Sequence, residues 1–169
     1  MDDPLTGHQL NDRRSPWAAR EDHLFGSLVS SFLPTPLDGA IERAQQQPRA
    51  EFYLAVTLPS DDLIGFVRLA FAGVQAAKLG YAIRADQWGH GYALDATRTI
   101  VNFGFSDLQL HRISAAIGPD NAASTKIAER LGMQLEGRIR DHVFTNGAWR
   151  DSLLYAVLVH EWGVCCTDG

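Results

Sequence analysis

Tyr81-Ala-Ile-Arg-Ala-Asp-Gln-Trp-Gly-His-Gly-Tyr-Ala93 is the stretch on which the reading of this chain turns. Leu79 to Ile83 is an apolar, strand-like run, Gly89 and Gly91 make a turn, and a long helical pattern opens directly behind them. A strand, a glycine turn and a helix in that order aim several free backbone N–H groups at one point. The first helical turn leaves its donors unpaired and carries the positive end of the helix dipole. Anions bind at such a point, and glycine lets them approach the backbone closely.

Two familiar phosphate loops do not fit. A dinucleotide fingerprint needs Gly-x-Gly-x-x-Gly with an acidic residue about 20 positions on, whereas Gly89-His90-Gly91 is followed by Tyr92, Ala93 and Leu94. A P-loop needs Gly-Lys-Ser/Thr, and this chain has none. An ordinary glycine turn before a helix is the bland alternative. Trp88-Gly89-His90-Gly91-Tyr92-Ala93 instead resembles the pyrophosphate loop of the GNAT N-acetyltransferases, Arg/Gln-x-x-Gly-x-Gly/Ala. Trp88 stands where Arg or Gln is usual. It does so too in the branch similar to the ribosomal-protein N-terminal acetyltransferases, where Trp-Gly-x-Gly-Tyr-Ala is common. The resemblance implies acetyl-CoA as the acyl donor, no metal, and contacts to CoA from Ile83, Arg84, Trp88, Gly89, His90, Gly91, Tyr92 and Ala93.

A second motif supports the first. Asn121-Ala-Ala-Ser124-Thr-Lys126-Ile-Ala-Glu-Arg-Leu-Gly132-Met resembles the family pattern Asn-x-x-Ser-x-x-x-x-Glu-Lys-x-Gly-Phe, at the family's usual distance from the glycine loop. The resemblance implies that Asn121 binds the pantetheine arm and that Ser124 lies near the thioester sulfur. Without it, Asn121 reads as a helix N-cap and Ser124 as a solvated residue of the first turn. Many family members carry a tyrosine acid seven positions after this asparagine. Ala128 occupies that position here, which leaves Ser124 as the candidate. Arg84, Lys126 and Arg130 are the cations placed to reach the CoA phosphates through charge-assisted hydrogen bonds.

Hydrophobic spacing supplies the frame. Residues 52–58 and 63–71 read as paired strands around Pro59-Ser-Asp-Asp62, and a further strand ends near Ile83. A helix over 91–105, a strand over 111–117 and a helix over 121–131 follow, the last closed by Gly132. Residues 133–144 and 149–159 form a hairpin around Asn146-Gly147. Upstream, a faint strand at 10–14 precedes helices between Trp17 and Gln47. This order is α/β, a central and mostly antiparallel sheet flanked by helices, and it is the order the GNAT resemblance implies. We expect one domain over 1–169, best matched over 50–160, with a polar tail after it.

Composition removes other classes. With 169 residues, 46% hydrophobic and 21% charged, the chain suits one globular domain. A net charge of −5 and a pI near 5.6 argue against nucleic-acid binding by bulk electrostatics. No apolar run approaches the roughly 18 residues of a membrane helix, the first residues lack a signal-peptide core, and a cytoplasmic location follows as the default. Cys165 and Cys166 are adjacent, which suits neither a disulfide nor a zinc site.

The expected chemistry is direct attack of a primary amine on acetyl-CoA. The amine must shed a proton to a base or a water chain. The oxyanion needs a preorganised donor, for which a backbone N–H of Leu79 to Ile83 is placed, and the departing thiolate needs the Ser124 hydroxyl. Asp141 and His142 are the candidate bases. An imidazole suits base work near neutrality, and strand alternation lets only one of the two face inward. The acceptor is expected to be a polyamine, an amino-bearing metabolite or antibiotic, or a peptide N-terminus, with neither nucleic acid nor membrane as partner and a homodimer allowed. Transfer of another acyl group, such as succinyl, and a non-catalytic acyl-CoA-binding module are the rivals.

Overall fold

The computed structural model describes residues 50–163. The strand expected at 10–14, the helices expected between Trp17 and Gln47 and the cysteine pair lie outside the described residues. Within them the chain runs β1 (Glu51–Thr57), β2 (Leu63–Phe71), β3 (Ala76–Ile83), a 3₁₀ turn (Ala85–Gln87), α1 (Tyr92–Ser106), β4 (Arg112–Ile117), α2 (Ala122–Arg130), β5 (Gln134–Thr145), β6 (Ala148–Leu158) and α3 (Val159–Trp162). The six strands form one sheet in the order β1-β2-β3-β4-β6-β5. Every neighbouring pair is antiparallel except β3 and β4.

Local chemistry explains the boundaries. Asn146 and Gly147 both take positive φ, 52° and 74°, the left-handed residue conformation of a turn whose twist matches the right-handed twist of the strands it joins. Helix α2 ends in paired bonds from Gly132 N–H to Glu129 O and from Met133 N–H to Ala128 O, with Gly132 at φ 73°. That arrangement satisfies the last carbonyls of the helix. The strand expected to reach Val159 stops at Leu158, because Glu161 Oε2 accepts the Leu158 N–H at 2.8 Å and starts the short α3.

Strand alternation assigns the two faces of the sheet. Val67, Leu69, Leu79, Ile113, Ala115, Ile117, Tyr155 and Val157 share a core with the helices. Helix α1 contributes Thr97, Ile100, Val101, Gly104 and Phe105, the three-four spacing of an amphipathic helix. Ile100, Val101 and Ile113 are fully buried, and each such side chain stabilises the fold by about 1.5–3 kcal/mol. On the other face Phe66 packs with Tyr53 and Ala82.

Candidate active site

The parallel contact between β3 and β4 is short. Ala76, Ala77 and Lys78 pair with Arg112, Ile113 and Ser114, and pairing stops there. Beyond it the strands part, and a cavity of about 800 Å³ opens between them, floored by Leu79–Ile83 and Ala115–Ile117 and roofed by the first turns of α1 and α2. The Arg84 N–H bonds to Ile64 O on β2. Alternation along an antiparallel pair therefore turns the N–H groups of Tyr81 and Ile83 to the opposite edge, where β4 has already left.

The glycine loop closes one end. Gly89 and Gly91 stand at φ 81° and 85°, conformations that are strained for any residue with a side chain. Gly91 is the N-cap of α1, and the first helical bond is made by Asp95 N–H to Gly91 O at 3.1 Å. Among the described residues, the N–H groups of Gly89 through Leu94 have no backbone acceptor. They form an anion cradle at the positive end of a 15-residue helix. The Trp88 indole N–H donates to Ile83 O at 2.7 Å and fastens the loop to the end of β3.

At the start of α2, Asn121 Oδ1 accepts the Ser124 N–H at 3.0 Å. The N-cap reading of Asn121 is thus correct, and the residue also lines the cavity together with Ser124 and Lys126. Capping occupies only the carbonyl end of the amide, so its NH₂ group is free to serve a ligand. Arg130 and Glu129 line the same wall.

Three sequence candidates sit differently from the rest. Arg84 is held by Asp86 in a two-pronged pair, 2.7 Å from Nε and 2.8 Å from Nη2, and does not line the cavity. This pairing raises the guanidinium's affinity for its proton and lowers that of the Asp86 carboxyl. His90 is exposed, stacks on Tyr92 at 5.6 Å and 17°, and places Nδ1 3.3 Å from Gln87 O. Asp141 is exposed at φ 46° in a bulge between Ile139 and Val143, with its N–H on Asp151 Oδ1 at 2.9 Å. The bulge breaks the simple alternation expected for Asp141 and His142.

His142 is half-buried, with Nδ1 3.0 Å from the hydroxyl of the buried Ser152. Ser152 adjoins Leu153, the partner of Ile117 at the open end of β4. It alternates with the core residues Leu153 and Tyr155, so His142 lies on the face opposite the helices and outside the cavity lining.

Sequence reasoning missed Tyr81. Its ring lies on the core face with Leu79 and Ile83 and borders the cavity, and its hydroxyl is buried without a formed hydrogen bond. Burial pushes the phenol above its ordinary value of 10.0, and the nearby Ser124 hydroxyl opposes that shift. The available signal was the parity of Tyr81 with the apolar Leu79 and Ile83.

A splayed β3–β4 pair, a six-donor loop at a helix start and a capped helix opposite form one cleft for a long ligand with an anionic head. Comparison with known proteins agrees: residues 15–134 match the model for the acetyltransferase (GNAT) domain. The chain belongs to the GNAT acetyltransferase family. It is 30% identical over 128 residues to the [Ribosomal protein uS5]-alanine N-acetyltransferase of Escherichia coli, covering 73% of this chain and 66% of that one. Among solved structures it resembles Mycobacterium smegmatis RimJ in complex with CoA-disulfide, with a TM-score of 0.67, 26% identity, and coverage of 72% of this chain and 59% of that chain. It shares its fold with a spermidine/spermine N-acetyltransferase SpeG from Vibrio cholerae, with a TM-score of 0.69, 22% identity, and coverage of 77% of this chain and 79% of that one. The GNAT fold and the N-acetyltransferase class are therefore established for this chain, and acyl-CoA is the donor its family uses. Among the described residues, no helix is long and apolar enough to cross a membrane.

Proposed function

We propose that this acetyltransferase takes acetyl-CoA in the β3–β4 cleft and acetylates a small or flexible primary amine. The observation that carries the reading is the cleft itself, apolar along its floor and ending at the free N–H groups of Gly89–Leu94. An apolar trough suits the pantetheine arm, and the loop suits the pyrophosphate. Lys126 and Arg130, on the roof, add positive charge for the phosphates. Bound there, acetyl-CoA supplies the activated acyl carbon.

The chain's own groups then divide the work. The N–H groups of Tyr81 and Ile83 meet the developing oxyanion. The NH₂ of Asn121 orients the arm, and the Ser124 hydroxyl hydrogen-bonds the departing sulfur. A serine hydroxyl is a weak acid, so this role is stabilisation of the leaving group. His142 takes the ammonium proton through water. Its support is its place at the open end of β4 on the sheet face away from the helices, where an amine can enter without crossing the cleft.

The relatives point to two acceptor classes, a ribosomal protein N-terminus and a polyamine. The net charge of −5 favours a cationic amine by long-range attraction and disfavours docking on ribosomal RNA. The test assays spermidine, amino-bearing metabolites and short peptides beside intact ribosomal subunits, reading free thiol release from acetyl-CoA. Turnover with a free amine is expected. Acetylation of a ribosomal protein with every small amine inert overturns the acceptor assignment. CoA binding without any turnover overturns the catalytic roles given to these residues.

A further inference from the structure

The Tyr81 hydroxyl is the cleft's unexplained polar group. Burying a hydroxyl without a partner costs stability, a cost that leucine or phenylalanine at this position would avoid. The hydroxyl is buried without a formed hydrogen bond, the ring lines the same cavity as Ser124, and the Ser124 hydroxyl is the side-chain group that acts against the effect of burial on the phenol. Ser124 approaches from the first turn of α2, and Tyr81 approaches from β3. Both elements line the cavity at this point, and the family's tyrosine position on α2 holds Ala128.

We propose that Tyr81 is a positioning residue for the transfer reaction: its phenol O–H donates to Ser124 Oγ and turns the Ser124 hydroxyl toward the departing sulfur. The inference rests on the role given to Ser124 above. In the step concerned, the amine nitrogen bonds to the acyl carbon, the carbon–sulfur bond breaks, and its electron pair stays on sulfur. The surplus ammonium proton leaves to the base or water on the acceptor side. Tyr81 gives up no proton, and acidity decides this. A thiol ordinarily titrates near about 8.5, while burial holds this phenol above 10.0. Full transfer from phenol to thiolate is therefore uphill, and a neutral phenol remains a donor throughout. A donor fixed to a strand constrains Ser124 more than solvent can, because water bound at that hydroxyl exchanges and reorients.

The experiment compares wild type, Tyr81→Phe, Ser124→Ala and the double variant of the full chain. It measures kcat with acetyl-CoA and the best amine of the panel, CoA affinity by calorimetry, and melting temperature. Tyr81→Phe is expected to lower kcat about 3- to 10-fold, the range of one hydrogen bond, with CoA affinity unchanged. The melting temperature checks that each variant is folded. In the Ser124→Ala background the same change should have no effect on kcat, a coupling that a merely structural role does not produce. An equal loss in both backgrounds, or weaker CoA binding at full kcat, overturns the proposal. So does a wild-type rate for Tyr81→Phe when Ser124→Ala is slow. If Ser124→Ala itself keeps its rate, the role of Ser124 fails first and carries this inference with it.

Discussion

The indole nitrogen of Trp88 lies 2.7 Å from the carbonyl oxygen of Ile83, so the residue that opens the glycine loop is tied to the last residue of β3. The bond fills a main-chain acceptor that the departure of β4 leaves open. It also sets the angle at which the loop's N–H groups meet the cleft. Trp88→Phe keeps an aromatic ring but loses the donor. A typical hydrogen bond contributes about 0.5–1.5 kcal/mol, so CoA affinity should weaken roughly 2- to 10-fold. Calorimetric titration with CoA checks this, and unchanged affinity would reduce the bond to an accessory of the fold.

Gly91 is more demanding. Its φ of 85° is the left-handed conformation, which is hardest for a β-branched residue. Its missing Cβ points into open space, where a ligand's phosphates would lie. Gly91→Val should abolish detectable CoA binding while circular dichroism still shows a folded protein. Gly91→Ala should be intermediate, with a strain cost of about 1–2 kcal/mol. Equal CoA affinity in both variants would place the pyrophosphate elsewhere.

His142 gives a prediction about rate. If its imidazole receives the amine's proton, His142→Gln should lower kcat by about 10- to 100-fold with CoA affinity unchanged. A wild-type rate would assign deprotonation to water alone. Asp141→Asn is the matched control, and its exposed position outside the cleft predicts little change.

Asp151 ties acid stability to the β5 bulge. The Asp141 N–H, followed by Arg138 at 2.6 Å, holds its carboxyl below the ordinary value of 3.8. A carboxylate with a lowered folded-state value adds stability above its unfolded value, and that stability is lost as pH falls through the folded value. Wild type should therefore lose stability more steeply below about pH 4 than Asp151→Asn does. Denaturant melts between acidic and neutral pH compare the slopes. Because the ion pair is exposed to water and salt, the difference should be small.

Much of this fold could be read from local sequence, because its determinants are local. The Asn146-Gly147 turn, the closing Gly132 and the spacing of Ile100, Val101 and Phe105 each state their element within a few residues. The glycine loop and the Asn121 cap are equally local. Other relationships are not stated locally. Tyr81 and Ser124 line one cavity from β3 and α2, and Arg112 is bound to Glu136 from another strand. Arg84 is taken up by Asp86 at a 3₁₀ turn that spacing does not signal. The bulge at Asp141 shows the limit of period-two reasoning, because between Ile139 and Val143 β5 carries two more residues than β6 does between Ser152 and Arg150, and regular alternation is interrupted there.

Only three residue pairs join β1–β3 to β4–β6, from Ala76–Arg112 to Lys78–Ser114. The sheet is thus two half-sheets held by a short seam, and a donor lying in the gap spans both. Such a ligand acts as a strut, and by mass action it raises the free energy of unfolding by about 2.7 kcal/mol at a hundredfold excess over its dissociation constant. Added CoA should therefore raise the melting temperature, by bridging strands whose backbone ladder joins only over Ala76–Lys78.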